Sequence, residues 1–110
     1  MQEKVDPVNL CQELVRIEST NPGGNEQACA HFLGQLLEAA DFAVSYHDFA
    51  PQRTSVVAIK GGHARSRRLC FAGHIDTVPL GGGRWQVDPY AGEIIADRLY
   101  GRGATDMKSA

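Results

Sequence analysis

The chain has 110 residues, 43% of them hydrophobic and 22% charged, with three cysteines, a composition that suits one soluble globular domain and excludes two full ones. Such a chain buries roughly 60 to 70% of its unfolded surface, enough for one modest core but not for a large enzyme with its own cleft. Eleven Lys and Arg against thirteen Asp and Glu leave a formal charge of -2, which argues against nucleic acid as a partner and gives no reason to expect a membrane surface.

No apolar run approaches the roughly 20 residues that cross a bilayer, and Met1 to Pro7 lacks a basic region followed by an apolar core. The expected location is the cytoplasm. Cys11, Cys29 and Cys70 are widely spaced without a C-x-x-C pair, so they read as reduced, buried thiols rather than a disulfide framework or a thiolate zinc site. Glycine is the anomaly: there are twelve, where average usage gives about 7%, and most of them fall between Gly73 and Gly103.

Asp6-Pro7 opens the first predicted helix, over residues 7 to 18, because Asp accepts from first-turn amides and proline's fixed φ suits the first helical position. Leu10, Leu14 and Ile17, with Cys11 and Val15, give it an apolar face. Ser19-Thr20-Asn21-Pro22-Gly23-Gly24 ends it. Asn25 then caps a second helix, whose stripe of Cys29, Phe32, Leu33, Leu36, Leu37 and Ala40 predicts packing on a sheet.

From Phe42 onward the pattern predicts strands at 42–49, 55–60, 69–72 and, after a long loop, 93–100. Gly61-Gly62 and the polar stretch through Arg68 read as a turn between neighbouring strands. Leu69-Cys70-Phe71-Ala72 is apolar without alternation, the pattern of a strand buried on both faces of a layered α/β sheet.

Gly73-His74-Ile75-Asp76-Thr77-Val78-Pro79 follows that strand, at the edge where open α/β sheets bind ligands. In an extended chain His74 and Asp76 point the same way. A carboxylate beside an imidazole can hold its N–H and leave the other nitrogen free for a metal. His-x-Asp also suits a hydrogen-bonded structural histidine. The second cluster, Tyr100-Gly101-Arg102-Gly103-Ala104-Thr105-Asp106-Met107-Lys108, offers one carboxylate in a glycine-bracketed loop. Two carboxylate oxygens can bridge two metal ions, although Asp106 near the N-cap of a following helix is an equally local reading.

The order Ser19-Thr20-Asn21-Pro22-Gly23-Gly24-Asn25-Glu26, the Gly73 to Pro79 motif, Trp85 with Asp88-Pro89-Tyr90, and Gly101 to Lys108 resembles the acetylornithine deacetylase and succinyl-diaminopimelate desuccinylase family of co-catalytic zinc amidohydrolases. The resemblance spans nearly the whole chain. It implies the N-terminal part of a zinc-peptidase-like α/β catalytic domain, a layered sheet with flanking helices, over residues 1–110, with the dimerisation domain absent. It implies His74 as a ligand to one zinc, Asp106 as the carboxylate bridging both, Asp76 as the catalytic residue that partners His74, and a cis peptide at Asp106-Met107. The family's Glu-Glu pair and later ligands lie outside these 110 residues.

Two zinc ions are the implied cofactor, with cobalt or manganese also compatible with the donors. The Asp-Met-Lys ending resembles the deacetylase and desuccinylase branch, whereas carboxypeptidase and dipeptidase branches usually read Asp-Asp-Lys. The expected substrate is a small N-acyl amino acid, hydrolysed by a full-length homodimer, with the 110 residues alone inactive. Two alternatives stand beside this: a zinc carboxypeptidase or dipeptidase of the same family, and a non-catalytic truncated fragment acting as a partner module.

His31, His47 and His63 read as exposed residues without a role, and Arg65, Arg67 and Arg68 as a solvated turn. Gly81-Gly82-Gly83 lacks the Lys-Ser or Lys-Thr of a nucleotide loop and reads as a flexible one. Trp85 and Tyr90 either face substrate or anchor a lid.

Overall fold

The computed structural model describes residues 4–62 and 67–110. It is an α/β fold, with helix α1 (Pro7–Arg16), helix α2 (Glu26–Ala39) and strands β1 (Ala43–Ala50), β2 (Arg53–Ile59), β3 (Ile94–Ile95) and β4 (Arg98–Leu99). The strands form two separate antiparallel pairs, β1 with β2 and β3 with β4, rather than one layered sheet.

Both helices start where the capping residues predict. Asp6 accepts from the Val8 amide at 2.9 Å and Asn25 from the Ala28 amide at 3.2 Å, each satisfying a donor that the first helical turn leaves free. Helix α1 buries Cys11, Leu14 and Val15. Helix α2 packs on the β1–β2 hairpin through a face that includes Cys29, Ala30 and Gly34. A 2.8 Å ion pair between Glu26 and Arg53 fastens its first turn to β2. Phe32, Leu33, Leu36 and Leu37 are only half-buried, so much of the predicted apolar stripe is uncovered.

Two strand expectations are corrected. Residues 69–72 form no strand, and Leu69 and Phe71 are 82% and 88% exposed. A strand buried on both faces needs a hydrogen-bonded neighbour and a covering layer. Among the described residues, β1 and β2 pair with each other and β3 with β4, so neither pair extends to this segment. Its free thiol, Cys70, is likewise exposed, whereas Cys11 and Cys29 are buried as expected.

The single strand expected over 93–100 is instead a two-residue hairpin. Ala96 and Asp97 both take positive φ, 48° and 62°, as a tight turn of the primed type requires. Neither residue is the glycine or asparagine that normally announces that turn.

His31 is exposed yet meets the Tyr46 ring edge-on, with centroids 4.6 Å apart, and exposed His47 contacts Ser45 at 3.1 Å. Gly61 and Gly62 have positive φ, but with no strand at 69–72 the expected turn between neighbouring strands does not form there; His63 and Arg65 lie outside the described residues. Among the described residues, no helix is long and apolar enough to cross a membrane.

Candidate metal centre

The loop after residue 72 is held by a segment distant in sequence. Ser19 donates its hydroxyl to the Ile75 carbonyl at 2.6 Å, the Thr77 amide donates to the Ser19 carbonyl at 3.0 Å, and the Asn21 amide donates to the Thr77 carbonyl at 2.9 Å. Thr20 and Thr77 thereby form a parallel bridge. The Thr20 hydroxyl also lies 3.0 Å from the Tyr90 hydroxyl, which ties the 88–91 loop to the same place. Ser19 and Thr77 are buried, so these bonds are shielded from competition by water.

The second loop, Gly101 to Ser109, is a succession of turns with no helix after Asp106 among the described residues. Gly103 has φ of +84°, and a Cβ there would stand 2.7 Å from the Thr77 methyl, so only glycine lets the two loops approach this closely. On the facing loop, Gly73 stands against the tip of the Met107 side chain. The His74 amide donates to Met107 Sδ at 3.3 Å, and the Asp106-Met107 peptide is cis.

These contacts bring together the three residues singled out in the sequence. His74 Nε2 lies 2.8 Å from Asp106 Oδ1, and His74 Nδ1 lies 3.2 Å from Asp76 Oδ1 and 3.1 Å from the Asp76 carbonyl. The imidazole thus sits between two acceptors. The hydrogen bond to Asp106, then that to the Asp76 carbonyl, pushes the His74 pKa above the usual imidazole range. The Asp106 side chain is 85% exposed, so the cluster opens to solvent.

An imidazole nitrogen and a carboxylate oxygen are both ordinary zinc donors, and two donors on one tetrahedral zinc stand about 3.3 Å apart. The 2.8 Å separation requires only a small opening, so His74 and Asp106 fit as two ligands. Among the described residues, no group of three or more His, Cys, Asp or Glu side chains could hold an ion. Catalytic zinc normally takes three protein ligands, one more than these two residues supply.

Sequence reasoning missed Ser19, Thr77 and Lys108. Lys108 is buried, and its ammonium donates to the carbonyls of Leu14 at 2.9 Å and Ile17 at 2.6 Å. In the sequence Ser19 reads only as part of a helix stop, and nothing local to Lys108 signals burial. Trp85 and Tyr90, left open between substrate and lid, have structural contacts. The Arg102 guanidinium stands 5.0 Å over the Trp85 ring, and Trp85 donates to the Leu80 carbonyl at 3.3 Å. Gly81 to Gly83 stand in open space.

Residues 70–110, which carry both loops, match the model of peptidase family M20/M25/M40. This bears out the resemblance to that group of hydrolases. In particular, the chain is 40% identical over 109 residues to the succinyl-diaminopimelate desuccinylase of Ehrlichia ruminantium (strain Gardel), covering 96% of this chain and 28% of that protein. It is 42% identical over 108 residues to that of Gluconobacter oxydans (strain 621H), covering 94% and 26%. For the Wolbachia sp. subsp. Brugia malayi (strain TRS) desuccinylase the identity is 36%, covering 96% and 26%. The chain thus spans little more than a quarter of the length of these curated relatives.

Proposed function

We propose that the whole protein is a metal-dependent hydrolase that cleaves the amide bond of N-acyl amino acids, of the desuccinylase or deacetylase type. Residues 1–110 would form part of its catalytic domain. The observation that carries this reading is the convergence of His74 and Asp106 to 2.8 Å with Asp76 on the opposite imidazole nitrogen. The desuccinylase relatives support the choice of substrate class.

In this reading His74, through Nε2, and the Asp106 carboxylate would hold the metal, and Asp76 accepts the Nδ1 proton of His74. That proton position leaves the Nε2 lone pair free, which is the form of imidazole a metal needs. Zinc, which suits this donor set, would supply Lewis-acid chemistry for amide hydrolysis when bound. The protein is proposed to work in the cytoplasm as a homodimer, with the 110 residues alone inactive.

Release of succinate or acetate from N-acyl amino acids by the whole protein tests the reading. Activity should vanish with a chelator, return with zinc, and be lost in Asp106→Ala. Turnover that survives both chelation and that substitution would overturn it, and preferential cleavage of dipeptides would favour the carboxypeptidase or dipeptidase alternative.

A further inference from the structure

Lys108 and Ser19 lie outside the proposed metal ligands, yet both are buried and both join a site loop to the end of α1. The Lys108 ammonium reaches the carbonyls of Leu14 and Ile17 at 2.9 and 2.6 Å. The Leu14 carbonyl also accepts from the Ile17 amide at 3.2 Å, and a cation is favoured at a helix C-terminus. Lys108 stands two residues beyond Asp106, and its own amide donates to the Gly103 carbonyl at 2.9 Å, closing the turn that carries Asp106.

Ser19 stands two residues beyond Ile17 and donates to the carbonyl of Ile75, the residue next to His74, at 2.6 Å. The stretch from Leu14 to Asn21 therefore holds the His74 loop through Ser19 and the Asp106 loop through Lys108. The two loops also touch each other, since Gly103 packs against both the Thr77 methyl and the Lys108 stem. An apolar residue as long as Lys108 would fill its space without the cost of burying an ammonium. What the ammonium adds is direction, because two acceptors on the helix end locate its nitrogen.

We propose that Lys108 and Ser19 are positioning residues that set the separation of His74 and Asp106, with the end of α1 as their common base. This rests on the reading of His74 and Asp106 as metal ligands.

The test uses the whole protein. Affinity for Zn2+ and for Co2+ is measured by competition with a chromophoric chelator in Lys108→Met, Lys108→Arg, Ser19→Ala, His74→Ala and Asp106→Ala. Amide hydrogen exchange is followed without metal at residues 74–77 and 105–109. Loss of either anchor should weaken metal binding about 10- to 100-fold and speed exchange in its own loop, and Lys108→Arg should recover part of the affinity.

Wild-type metal affinity in folded Lys108→Met or Ser19→Ala overturns the inference, even where the unfolding midpoint falls, because packing alone would lower only stability. If Lys108→Met does not fold, Ser19→Ala decides, since it removes one hydroxyl. If His74→Ala and Asp106→Ala also bind metal normally, the metal reading itself fails; if they lose metal while the anchor variants do not, only the positioning role falls.

Discussion

His74 Nε2 and Asp106 Oδ1 stand 2.8 Å apart although 32 residues separate them in sequence. Neither loop is part of a helix or a strand, so the contact is held by buried hydrogen bonds and by the close packing of Gly103 on the Thr77 side chain.

Asp76 is expected to act through His74. Asp76→Ala should weaken zinc binding by the whole protein by up to about 10-fold, since it removes the carboxylate beside Nδ1 while the Asp76 backbone carbonyl, 3.1 Å away, stays as an acceptor. Asp76→Asn, which keeps an acceptor oxygen but loses the charge, should fall in between. Zinc competition titrations of the three proteins give the order directly.

Gly103→Ala should destabilise the chain by about 1 kcal/mol or more, because the substitution forces alanine into positive φ and its methyl into the Thr77 side chain. Urea unfolding should show a lower midpoint. Gly82→Ala, in open space at ordinary φ, should leave the midpoint almost unchanged.

Asp6→Ala should cost about 1 kcal/mol through the lost first-turn acceptor of α1. Asp6→Asn, which can make the same hydrogen bond, should recover most of it in the same urea experiment.

Burial pushes the Cys29 thiol above the ordinary thiol range; the nearby Lys108 ammonium opposes this more weakly, and Glu26 adds to it least. An acid whose folded pKa is raised binds more protons folded than unfolded above its unfolded pKa. Its contribution to stability is therefore present below about pH 8.5 and is lost as pH rises through the folded value. The unfolding midpoint should fall with pH in the alkaline range, with a shallower slope in Cys29→Ala. In the native chain an alkylating reagent at pH 8 should label exposed Cys70 before Cys11 and Cys29.

Much of the first half of the fold was legible because its signals are local. Asp6 and Asn25 start helices through bonds to amides two and three residues away, and the β1–β2 hairpin follows β-type runs broken by Pro51. The 69–72 segment was misread because apolarity reports what a segment could bury and not whether a partner is there to bury it. The turn at Ala96-Asp97 was missed because its positive φ values fall on residues that do not favour them.

By itself the sequence determined the α/β class, the helix starts, and the three residues His74, Asp76 and Asp106 with their family resemblance, all of which rest on local spacing and on side-chain chemistry. Only the tertiary structure decided that His74 and Asp106 meet, that Ser19 and Lys108 tie both loops to the end of α1, and that the apolar 69–72 segment stands exposed. Those outcomes depend on contacts between residues distant in the chain, which leave no periodicity or capping pattern to read.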